Sequence, residues 1–90
     1  MAGIAGVTYK IMPVSPETDL EEIKKEISKL LEPRGANSIA FREEPIAFGL
    51  KAVIVVFQWP EEKELEEIEK ILGEVENVQS VQMIDIRKIA

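Results

Sequence analysis

The side chains that most often carry chemistry are missing from this chain. It has no cysteine and no histidine, which excludes a thiol nucleophile, a Cys-based zinc site and the commonest general base. Two carboxylates stand side by side at Glu43 and Glu44, the residue type a hydrolase would pair for acid–base work. Their segment alternates as a strand, however, and adjacent strand residues point to opposite faces, so the two cannot share a site. The five glycines are scattered, and none forms a GxxxxGK or GxGxxG phosphate loop. Two features survive this filter. In Pro45-Ile46-Ala47-Phe48-Gly49-Leu50-Lys51 a large ring sits beside a glycine in a short connection between strands. Phe48 is hard to bury there, and it reads either as a core or lid residue or as an exposed aromatic anchor for a partner. Near the chain end Arg87-Lys88-Ile89-Ala90 carries a basic pair, a type of segment that is usually frayed.

The elements that must position these residues follow from periodicity. Val7, Tyr9 and Ile11 alternate with Thr8 and Lys10 as a half-buried strand, ended by Pro13 and Pro16. Thr18 and Asp19 each offer an N-cap with a Glu three positions on. Apolar residues at Leu20, Ile23, Ile27, Leu30 and Leu31 then predict an amphipathic helix of about four turns, closed by Pro33 and Gly35. Ile39 and Phe41 mark a second strand, and Pro45, which cannot donate to a ladder, assigns it to an edge. The β-branched run from Leu50 to Phe57 predicts an interior strand closed by Trp59-Pro60. Leu65, Ile68, Ile71 and Leu72 have helical spacing, with Gly73 as a stop. Val78 to Ile89 reads as a last strand, with Ile84 and Ile86 on one face and Val81, Met83 and Ile89 on the other.

The order β-α-β-β-α-β is that of the ferredoxin-like sandwich, an α+β fold. Two helices would cover one face of a four-stranded antiparallel sheet whose first and third strands are central, and the other face would stay partly open. Ninety residues, 46% hydrophobic and 31% charged, suit a single domain over residues 1–90, too short for a second core. The net charge is -6, and residues 61–76, with eight Glu and two Lys, carry all of it. That balance disfavours a phosphate backbone as partner. An RNA-binding sheet would also need aromatics on its middle strands, whereas aromatics make up 6% of residues here. No apolar run approaches the roughly 20 residues of a membrane span and no leader pattern opens the chain, so a cytoplasmic protein with no membrane or nucleic-acid partner is expected.

Taken together these segments resemble the exchange domain of translation elongation factor 1-beta, in particular its short archaeal form. The likeness rests on Pro45-Ile46-Ala47-Phe48-Gly49-Leu50-Lys51, similar to the family's Pro-x-x-Phe-Gly-(Ile/Leu)-Lys turn; on Val78-Gln79-Ser80; and on Lys88-Ile89 at the family's Lys-Leu or Lys-Ile terminus. Ala47 departs from a frequent glycine, and Ala90 adds one residue beyond the usual end. The resemblance implies guanine-nucleotide exchange with no bond chemistry and no cofactor or metal of its own. The implied partner is elongation factor 1-alpha, in its GDP-bound and nucleotide-free forms. It further implies that Phe48, flanked by Ala47 and Gly49, docks onto the GTPase together with Gln79, Ser80 and Ile89. Lys88 would reach toward the magnesium and phosphate site. A ligand-sensing or oligomerising ferredoxin-like domain, working through the open sheet face, is the alternative from another class.

Overall fold

The computed structural model describes residues 3–89; Ala90, whose effect on the reach of Lys88 the sequence raises, lies outside them. Four strands, β1 (Ile4–Pro13), β2 (Asn37–Pro45), β3 (Lys51–Pro60) and β4 (Val78–Lys88), form one sheet in the order β2-β3-β1-β4. All neighbouring pairs are antiparallel. The helices α1 (Leu20–Leu31) and α2 (Glu66–Gly73) complete the β-α-β-β-α-β order of a ferredoxin-like α+β sandwich. As expected, β1 and β3 are central and β2 is an edge.

One sheet face and one stripe of each helix make the core. Val7, Tyr9 and Ile11 of β1 and Val53, Val55 and Phe57 of β3 pack against Ile23, Ile27 and Leu31 of α1 and Ile68 and Leu72 of α2. Phe57 links a ring chain, stacked on Tyr9 at 6.1 Å and edge-on to Trp59 at 6.0 Å. Burial pushes the Tyr9 phenol above its usual pKa, and the negative charge of Glu69 on α2 adds to that. On α1, Asp19 alone caps the N-terminus, accepting from the Glu21 N–H at 3.0 Å. The Thr18 N–H turns back instead to the Ser15 carbonyl at 3.2 Å. The helix proper is 12 residues long, shorter than the expected four turns. A single 3₁₀ turn, Glu32–Arg34, takes over at Pro33, and Gly35 ends it at φ 101, a left-handed value that glycine adopts without steric cost.

The opposite sheet face carries no helix. Across its middle run Arg42, Ile54, Lys10 and Gln82, one from each strand. Ile54 is fully buried there, flanked by two long cationic side chains whose stems can cover apolar surface while their heads stay wet.

Strand β4 departs from the expected alternation. Thr8 pairs with Asp85 but Tyr9 with Met83, so Ile84 is an extra residue in a β-bulge. Ile86 lies opposite Val7 and Lys88 opposite Ala5, both core-side positions. Ile86 therefore shares a face with Val81 and Met83, and it is Ile89 that changes sides. A bulge shifts the two-residue period by one, and no composition signal announces it.

Candidate functional site

The β2–β3 connection is built so that its ring cannot reach the core. Pro45 pairs with Lys51, the Ile46 N–H donates to the Leu50 carbonyl at 2.8 Å, and the Leu50 N–H donates to the Ala47 carbonyl at 3.3 Å. Between those bonds Ala47, Phe48 and Gly49 must turn the chain within three residues. Phe48 does so at φ 62, ψ 30 and Gly49 at φ 76. Glycine accepts that region freely, whereas a residue with a β-carbon is strained in it. The Phe48 side chain is 93% exposed, so no packing within the fold offsets the strain.

Gln79 and Ser80 lie at the same end of the sheet, on its far edge. Met12 pairs with Ser80, Pro13 with Val78, and the Val14 N–H donates to the Asn77 carbonyl at 2.9 Å. Exposed Val14 adds an apolar side chain to this end, one that sequence reading passed over because it follows a strand-ending proline.

Lys88 and Ile89 are at the other end. Lys88 pairs with Ala5 and the Ile89 N–H donates to the Ile4 carbonyl at 2.8 Å, so this end is held in the sheet rather than frayed. The Ile89 side chain lies over Gly6, where an added β-carbon would come within 2.8 Å of it. From Ala5 to Pro13 the strand advances eight steps, a separation of about 27 Å at roughly 3.4 Å per residue. The structure thus brings Ala47, Phe48, Gly49, Gln79 and Ser80 to one end and places Lys88 and Ile89 at the other. No single pocket can hold both groups.

The Lys88 ammonium lies 3.9 Å from the Glu61 carboxylate. Glu61 belongs to the Glu-rich run 61–76 that carries the net charge, and nothing in its local pattern marks it out. Glu43 and Glu44 are on opposite faces as expected. Glu43 accepts from Lys24 of α1 at 2.9 Å, which holds its carboxyl below the usual carboxylate pKa. Among the described residues an open cleft of about 700 Å³ lies between α1 and the turn after α2, with Glu22, Glu26, Glu74 and Glu76 in its lining. It reaches Asn77, beside the Gln79 and Ser80 end, but is lined by none of Phe48, Gln79, Ser80 and Lys88. Among the described residues no cluster of carboxylates could hold a metal, and no helix is long and apolar enough to cross a membrane.

What the geometry offers is two exposed side chains at opposite ends of one sheet. One is an exposed aromatic and the other an exposed cation. Comparison with known proteins gives the same picture a family. Residues 6–89 match the profile of the EF-1 guanine nucleotide exchange domain. The chain is 42% identical over 89 residues to the elongation factor 1-beta of Methanosarcina barkeri, covering 97% of this chain and 99% of that one. It is 40% identical to that of Methanothermobacter thermautotrophicus over 83 residues, 91% and 92% of the two chains. With that of Metallosphaera sedula the identity is 36% over 86 residues, 92% of each.

Proposed function

We propose, from the premise that this chain belongs to the EF-1 guanine nucleotide exchange domain family of translation elongation factors, that it releases GDP from elongation factor 1-alpha. On this reading it binds the GDP-bound and nucleotide-free forms of that GTPase in the cytoplasm, with no contact to nucleic acid. The carrying observation is Phe48, held strained and 93% exposed at one end of the sheet, where only a partner can use it.

Exchange requires no bond to be made or broken by the factor. It must bind the nucleotide-free GTPase more tightly than the GDP-bound one, and by linkage it weakens GDP by the same factor by which GDP weakens it. Phe48, with Gln79 and Ser80 on the same end, is the anchor. Lys88 is the lever. An ammonium brought to about 4 Å from a divalent ion is repelled by roughly 8 kcal/mol at an effective dielectric of 20, before solvent and phosphates reduce the figure. If about 4 kcal/mol survives, the loss of GDP affinity is close to a thousandfold, at 1.4 kcal/mol per decade.

The test is release of labelled GDP from purified elongation factor 1-alpha with substoichiometric factor, in magnesium and after EDTA. Acceleration with turnover is expected, as is a Lys88→Ala defect that shrinks once magnesium has been stripped. Unchanged release with a folded factor overturns the reading. A defect equally large with and without magnesium overturns the lever but leaves the activity standing.

A further inference from the structure

Lys88 does not stand alone in the free protein. Its ammonium lies 3.9 Å from Glu61 Oε1, and the carboxylate side chain is 37% exposed against 74% for the lysine. Among the described residues Glu61 is the one carboxylate within 4.0 Å of this ammonium, and the neighbouring Arg87 pairs with Asp85 at 2.9 Å.

The pair is anchored through the first residues of the central strand β1. The Glu61 N–H donates to the Gly3 carbonyl at 3.0 Å, and the Ile89 N–H donates to the next carbonyl, that of Ile4, at 2.8 Å. Pro60, just before Glu61, pairs with Ile4, and Lys88 pairs with Ala5. Both backbones that carry the pair are thus bonded to one short stretch, Gly3 and the first residues of β1, from opposite sides. The charges meet over it on the core side of the sheet, where the Ile84 bulge has turned Lys88. The carboxylate is the more enclosed partner and the ammonium the freer one.

We propose that Glu61 is a positioning residue that holds the Lys88 ammonium back in the free factor, so that engagement with the partner's magnesium and phosphate site begins by opening this ion pair. The inference rests on the exchange reading above. A carboxylate beside the lysine offsets its field and attracts the very ion the lysine opposes. The lever acts at full charge only after Glu61 has been left behind. The contact is loose and solvated, which suits a restraint that must be released at every encounter.

The experiment is a double-mutant cycle on GDP release, reading kcat/KM for the wild type, Glu61→Gln, Lys88→Ala and the double variant, with circular dichroism to establish that each is folded. Glu61→Gln is expected to raise kcat/KM by about twofold to fivefold; fivefold equals about 1 kcal/mol, the ceiling for an exposed pair. The gain should vanish on the Lys88→Ala background. It should also shrink as salt shortens the screening length from about 10 Å toward about 3 Å. If Glu61→Gln leaves kcat/KM unchanged or lower while Lys88→Ala impairs release, the inference falls and the exchange reading stands. A gain that persists without Lys88 overturns the inference too, because Glu61 would then act by itself. If Lys88→Ala releases GDP as fast as the wild type, the lever falls, and this inference falls with it.

Discussion

At Phe48 the backbone holds φ 62, a left-handed conformation that costs a residue with a β-carbon roughly 1–2 kcal/mol. A fold selected for stability alone would place glycine or asparagine there. Phe48→Asn, which keeps the turn and tolerates its dihedrals, is therefore expected to leave Tm unchanged or raise it by a few degrees in thermal denaturation. The same variant should lower kcat/KM for GDP release by on the order of thirtyfold, the loss of about 2 kcal/mol that defines an aromatic hot spot. A lower Tm would return the ring to a structural role. The sequence supplied the residue and its glycine neighbour and left two readings open. The strained backbone that favours the exposed one is a three-dimensional fact, because one residue's φ depends on bonds made by Ile46 and Leu50 on either side of it.

Among the elements, α1 is fastened to the β2 edge by one ion pair. Lys24 reaches Glu43 at 2.9 Å while also holding Glu21 on its own helix at 2.9 Å. The hydrogen bond to Glu43, then that to Glu21, raises the Lys24 pKa, and the same contact with Lys24 lowers that of Glu43. A carboxylate whose folded-state pKa is depressed contributes stability above its unfolded value and loses it as pH falls through the folded value. Glu43→Gln should thus lower Tm slightly at neutral pH. That difference should close as acid passes below 4.5 and through the lowered pKa of Glu43, which melting curves from pH 7 to pH 2 would follow; a constant gap would mean the charge does not matter. The element order, the central β1 and β3 and the edge placement of β2 were all legible in the sequence, because the two periodicities and Pro45 state them directly. The shared face of Val81 and Met83 was legible too, but the faces of the β4 residues beyond the bulge were not. One extra residue at Ile84 reverses the alternation, and with it the side on which Lys88 emerges, through pairing with β1 that no local pattern records. Pairing across distant parts of the chain likewise hid Glu61.

For the molecule as a whole, the proposed anchor Phe48 and the proposed lever Lys88 are carried by a sheet whose central strands are packed on one face. Two sites separated by about 27 Å with no shared neighbours have nearly independent effects, since couplings fade beyond roughly 10 Å. The losses from Phe48→Ala and Lys88→Ala in kcat/KM should therefore multiply in the double variant, and a combined loss well short of the product would show that the two ends do not act separately. Charge is divided as well: the Glu-rich α2 region carries the net -6, while Arg42 and Lys10 stand in the row across the open face. The spacing of the two ends has a further consequence. A stiff sheet does not adjust its length, so it acts as a fixed gauge that fits only a partner whose two receiving sites lie at the matching distance. A GTPase whose domains move apart or together during its cycle would be measured at each encounter, and only the state that matches would be held by both ends at once.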